Sequence, residues 1–92
     1  MEEASKAVEI VNKRGLHARA SAKFVGAVAR MIDASVTVSK DGNEAAGGSI
    51  LGLMMLGAAK GDTVEIRVSG DNCEAQLAEL VEMVEDGFGE DR

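Results

Sequence analysis

Ninety-two residues carrying a net charge of −6 fit one domain, too small for several layers, so the core has to come from helices packed on a sheet. Two aromatic residues give no stacking platform for single-stranded nucleic acid, and the acidic balance argues against nonspecific DNA binding. No apolar run approaches the ~20 residues that cross a bilayer, and one cysteine and one histidine supply neither an internal disulfide nor a zinc-type ligand set. Val8-Glu9-Ile10-Val11 is short and β-branched and reads as a first strand, with Asn12 to Leu16 as the connection and Gly15 as its turn. After His17, the residues Ala18, Ala22, Val25, Ala29 and Ile32 recur at helical spacing, with Arg19, Lys23 and Arg30 on another face. Ser35 to Ser39 alternates as a second strand, Asp41-Gly42 signals a hairpin, and Asn43 to Ala46 is a weak third strand suited to an edge.

Gly47-Gly48-Ser49 leads into an apolar run, Ile50 to Leu56, which suits a short helix capped by Ser49 and stopped by Gly57. Thr63 to Val68 alternates as a fourth strand with Val64, Ile66 and Val68 on one face. Asp71-Asn72-Cys73-Glu74 has the acid-x-x-Glu form of a helix start, and Leu77, Val81, Val84 and Phe88 provide the apolar stripe. Phe24 and Phe88 are expected in the core. The predicted order is β-α-β-β-α-β-α within a single domain spanning residues 1–92, with no repeat or linker.

Charge is unevenly spread along this order. Lys13 through Arg30 holds five cations and no acid, whereas eight of the sixteen acids lie from Asp71 onward. His17 sits inside the positive segment, at the junction of strand and helix. Free amides and the dipole at a helix start attract anions, and an imidazole near neutrality is a nucleophile. A lone histidine at a helix start is more often a surface or capping residue. Here, however, Arg19 adds a guanidinium suited to phosphate. No acid lies near His17 in sequence to complete a hydrolase triad, although distant acids are free to approach in space. Those parts describe a phosphohistidine site.

A second candidate is the helix begun by Ser49. It is apolar nearly all round, yet a helix on a sheet buries only one side, so Met and Leu side chains are expected to remain exposed as a docking surface. Ser49 serves as an N-cap; phosphorylation would add nearly two negative charges there and could block an apolar partner through desolvation or an acidic one through repulsion.

Two segments carry a family resemblance over nearly the whole chain. Gly15-Leu16-His17-Ala18-Arg19-Ala20-Ser21 resembles the active-site segment of HPr, the histidine-containing phosphocarrier of the bacterial phosphotransferase system. Ser49-Ile50-Leu51-Gly52-Leu53-Met54, with Leu56-Gly57 and Lys60-Gly61, resembles its regulatory-serine segment. The resemblance implies an α+β open-faced β-sandwich, a four-stranded antiparallel sheet covered on one side by three helices; element order alone also permits a ferredoxin-like fold. It implies that His17 takes phosphate on Nδ1 from phospho-enzyme I, itself charged by phosphoenolpyruvate, and passes it to an enzyme IIA-type protein. Arg19 would help hold the phosphate. Ser49 would be the target of an HPr kinase/phosphorylase, and Ile50, Leu51 and Met54, joined by Leu16 and Ala20, would line the docking face. Ala20 departs from the proline of many relatives, but alanine still permits the helix. Ala20-Ser21 also resembles variants of regulatory, nitrogen-type branches. A carrier of either kind is not a turnover enzyme. Met1-Glu2-Glu3 starts with acids where a secretory leader would carry positive charge, so a cytoplasmic monomer with no cofactor, metal or membrane insertion is expected.

Overall fold

A computed structural model describes residues 2–90. The elements are β1 (Glu3–Glu9), α1 (Ala18–Ala29), β2 (Ala34–Lys40), β3 (Asn43–Ala46), α2 (Ile50–Met55), β4 (Thr63–Gly70) and α3 (Cys73–Glu85), followed by a 3-10 turn at Gly87–Gly89. The order is the predicted one. β4 organises the sheet: its strict alternation buries Val64, Ile66 and Val68 together, since a strand puts every second side chain on the same face. It pairs antiparallel with β1 on one side and β2 on the other, and β3 closes the far edge in the order β1-β4-β2-β3. The register sets Val8 opposite Val64, Val38 opposite Ile66 and Val36 opposite Val68. These cross-strand apolar pairs make one continuous sheet face.

Between β2 and β3 the chain reverses at Asp41-Gly42, both left-handed at φ 52° and 85°. A two-residue type I′ hairpin needs that pair of conformations, and glycine supplies the second without steric cost. All three helices lie on the apolar face of the sheet. Phe24 of α1, Leu53 of α2 and Val84 of α3 converge on Val38 and Ile66 around one small internal gap. Burying each such side chain contributes roughly 1.5–3 kcal/mol. The result is the open-faced, four-stranded antiparallel sandwich expected above. Among the described residues no helix is long and apolar enough to cross a membrane.

Three local expectations need correcting. The first strand runs from Glu3 to Glu9, not from Val8 to Val11, because β4 templates it at the edge despite its polar composition. Ile10 is fully buried just beyond its end, where its backbone bonds to Asp62 and Gly61. In α1 the buried face is Ala20, Ser21, Phe24 and Ala27. Ala18, Ala22 and Ala29 are exposed, and Ile32 lies past the helix end, 80% exposed. Finally, α3 takes Asn72 as its N-cap with no side-chain capping bond, so Asp71 does not open a capping box there.

Candidate functional site

Gly15 fixes the path into the site. It is left-handed at φ 63°, its N–H donates to the Asn12 carbonyl at 3.2 Å, and the next amide, Leu16, donates to the Ala58 carbonyl at 3.0 Å. A Cβ on Gly15 would stand 2.3 Å from that same Ala58 oxygen, so only glycine lets the loop press this close. Asn12, fully buried, braces the loop from inside by donating Nδ2 to the Gly15 carbonyl at 2.9 Å. His17 then enters as the N-cap of α1 in an extended conformation, and its carbonyl accepts the Ser21 amide at 2.9 Å. The first turn of α1 carries no acid of its own, so its free amides point their positive dipole end toward the ring.

The two ring nitrogens of His17 have different partners, and those partners assign the proton. Nδ1 lies 3.2 Å from the Arg19 backbone N–H, which can only donate, so Nδ1 presents its lone pair. Nε2 lies 2.9 Å from both carboxylate oxygens of Glu90, which accept, so Nε2 carries the hydrogen. Asn12 Nδ2 also donates to Glu90 Oε1 at 3.1 Å. The hydrogen bond with His17 is the chief cause holding the Glu90 carboxyl below the usual carboxylate range; desolvation opposes it, while Asn12 and electrostatic attraction to the His17 ring and Lys23 reinforce it. The pair is largely shielded, with the His17 side chain 22% and the Glu90 side chain 14% exposed.

Glu90 reaches this position through a reversal after α3. Phe88 is buried at 3% exposure with φ 57°, a left-handed conformation that a bulky residue adopts only when packing dictates it. Lys23 of α1 clamps the turn by donating Nζ to the Phe88 carbonyl at 2.7 Å. Beside this turn lies a cleft of about 460 Å³ lined by Lys13, Arg14, Arg19, Lys23, Gly89 and Glu90. Among the described residues the Arg19 guanidinium is engaged by no carboxylate, which leaves its fork available to an anion. His17 does not line this cleft itself; Glu90, its Nε2 partner, and Arg19, whose amide meets its Nδ1, do, which sets the ring beside a basic concavity. Among the described residues no cluster of His, Cys, Asp and Glu is arranged to hold a metal ion.

The second candidate region is separate. Ser49 caps α2, its Oγ accepting the Gly52 amide at 3.0 Å, and Gly57 closes the helix with a bond to the Met54 carbonyl. Leu53 alone in α2 is buried. Ile50, Leu51 and Met54 are exposed, and so is Met55 at 77%, which the sequence reading left out. Leu16 and Ala20, expected on a docking face, belong instead to the core at 7% and 0% exposure. They face inward because Leu16 is pinned to the Ala58 carbonyl and Ala20 lies on the buried stripe of α1. Asn12 and Glu90 are the site residues that sequence reasoning missed. No local spacing links Glu90 to a histidine 73 residues away; the single hint is the apolar Phe88 between two glycines, which marks a chain folding back onto the core.

Comparison with known proteins gives a consistent picture. The family model for the PTS HPr component phosphorylation site matches residues 4–86. The chain is 45% identical over 86 residues to phosphocarrier protein HPr of Neisseria meningitidis serogroup A, covering 92% of this chain and 94% of that one. It is 39% identical over 85 residues to phosphocarrier protein NPr of Escherichia coli K12, covering 91% and 93%. The crystal structure of HPr-C-His from Thermoanaerobacter tengcongensis superposes with a TM-score of 0.87 at 37% identity, over 100% of both chains.

Proposed function

The chain belongs to the HPr family of phosphocarrier proteins of the phosphotransferase system, and we propose that His17 is the residue on which it carries the phosphoryl group. The observation that supports this most is the pair of ring contacts, an unprotonated Nδ1 facing a helix N-terminus and a protonated Nε2 held by Glu90. Nδ1 attacks phosphorus, a new N–P bond forms, and the donor's bond to phosphorus breaks with its electron pair returning to the donor. The Arg19 amide, released from Nδ1, turns to a phosphoryl oxygen, and its guanidinium meets the remaining charge. Phospho-enzyme I is the donor in this reading and an enzyme IIA-type protein the acceptor. The histidine is consumed and regenerated, so the chain is a carrier between enzymes, not a catalyst that turns over alone.

Incubation with enzyme I and phosphoenolpyruvate is expected to give an acid-labile, base-stable label that maps to His17. Labelling retained in His17→Ala would overturn the assignment. The likeness to NPr favours a second reading of the pathway, a regulatory nitrogen-type branch; competition between a sugar-type and a nitrogen-type IIA protein for the labelled chain decides between them. Ser49 is the proposed control point, modified by an HPr kinase/phosphorylase. Its position at the head of the exposed Ile50, Leu51 and Met54 surface supports this, because a phosphate there charges the edge of an apolar contact. Partner affinity unchanged after genuine phosphorylation of Ser49 would reject that role.

A further inference from the structure

We propose that Glu90 is a positioning residue for phosphoryl transfer: its carboxylate keeps the proton on Nε2 of His17, covers that nitrogen, and stabilises the positive charge the ring acquires as Nδ1 bonds to phosphorus. The inference rests on the phosphocarrier reading of His17 and deepens it. Its ground is the symmetric contact, with both carboxylate oxygens 2.9 Å from Nε2. A carboxylate in that position can only accept a hydrogen bond, so it selects the tautomer whose free lone pair lies on Nδ1. The same division of labour operates wherever a buried carboxylate orients a histidine that works through its other nitrogen.

The surroundings are built to keep Glu90 in place. Asn12 donates to one oxygen, Lys23 holds the Phe88 carbonyl two residues earlier, and the buried Phe88 ring anchors the turn. The lowered carboxyl pKa agrees with an ionised acceptor. In the transfer step the neutral imidazole gives its Nδ1 lone pair to phosphorus while the Nε2 proton stays in the hydrogen bond. The product ring is therefore cationic until it loses that proton, and an anion across the ring from the new bond lowers the cost of reaching it. Nε2, facing Glu90, is closed to a phosphoryl donor.

The consequence is a prediction about which nitrogen reacts, which a merely structural role would not alter. The full chain, with its histidine labelled in ¹⁵N, is treated with phosphoramidate, a small donor that needs no protein partner. Here the P–N bond of the donor breaks, ammonia leaves, and the N–P bond forms on the ring. Wild type is expected to give the Nδ1 isomer alone, resolved from the Nε2 isomer by ³¹P and ¹⁵N NMR. Glu90→Ala is expected to give at least one tenth Nε2 isomer. Glu90→Gln, which keeps an accepting oxygen but loses the charge, is expected to retain Nδ1 selectivity yet react about tenfold more slowly. With enzyme I as donor, Glu90→Gln should show the same slowing in kcat with KM changed less than twofold. Unchanged isomer ratio in Glu90→Ala, or a wild-type rate in Glu90→Gln with both donors, would overturn the proposal. Failure of the carrier reading has a different signature: wild type modified by phosphoramidate but not by enzyme I.

Discussion

Replacing Gly15 by alanine tests whether the loop, and not the helix, sets the position of His17. The added Cβ would meet the Ala58 carbonyl oxygen at 2.3 Å and the Ala59 Cα at 2.9 Å, both backbone atoms that have no side-chain rotation with which to yield. A left-handed alanine costs about 1–2 kcal/mol. Relieving the clash pulls Leu16 away from Ala58, and leaving that buried amide unpaired costs about 1–3 kcal/mol. Loss of backbone freedom in the unfolded chain returns about 0.4–1 kcal/mol. The net expectation is a loss of about 2–4 kcal/mol, a large share of the roughly 5–10 kcal/mol that holds a domain of this size together. Urea unfolding followed by circular dichroism should show a midpoint lowered by about 1–2 M with an unchanged m-value. Transfer from enzyme I, measured at a temperature where the variant is folded, should slow by about 10²-fold because the ring is displaced by most of an ångström. A stability loss under about 0.5 kcal/mol would refute the steric reasoning, and full loss of stability with an unaltered transfer rate would refute the link from loop to site.

Three further outcomes follow from contacts described above. Ser49→Ala removes the cap that accepts the Gly52 amide and should cost about 1 kcal/mol in urea unfolding; a change within error would mean that α2 is held by packing alone. Phe88→Ala should cost about 3–5 kcal/mol and also release Glu90, so the hydrogen-bonded Nε2 proton of His17 should disappear from the NMR spectrum; its persistence would show that Asn12 suffices to hold the carboxylate. Because the folded state lowers the Glu90 pKa, the stabilisation tied to its ionised form is present above the ordinary glutamate range and is lost as pH falls through the lowered value. Unfolding curves of wild type and Glu90→Gln should therefore differ at neutral pH and converge on the acid side, and a constant offset across that range would contradict the linkage.

Elements whose signal is local were legible in the sequence. Val64, Ile66 and Val68 alternate on a strand paired on both sides, Asp41-Gly42 dictates its own turn, and Ser49 caps the helix directly behind it. Where the signal is tertiary, local sequence does not carry it. Glu3 to Lys6 has little strand propensity of its own and becomes a strand because β4 offers it a partner. Alanines mark neither face of a helix, so a stripe drawn through Ala18, Ala22 and Ala29 missed the one set by Phe24. At the candidate site His17, Arg19 and Ser49 were visible as residue types in sequence. The buried Asn12 and the returning Glu90 were not, because each acquires its role from contacts that sequence spacing does not encode.

The separation between His17 and Glu90 also orders events in time. A ribosome releases the histidine, the Gly15 loop and α1 well before the residues of β4 and α3 exist, yet β1 finds its strand partner only in β4, and the ring finds its carboxylate only after α3 has docked and the Phe88 turn has closed. Contacts this distant in the chain form late, after the entropy of closing the intervening loop has been overcome. During synthesis the imidazole therefore lacks its Glu90 partner, and acquires it only as the chain completes its fold. Formation of the His17–Glu90 contact is thereby coupled to completion of the fold.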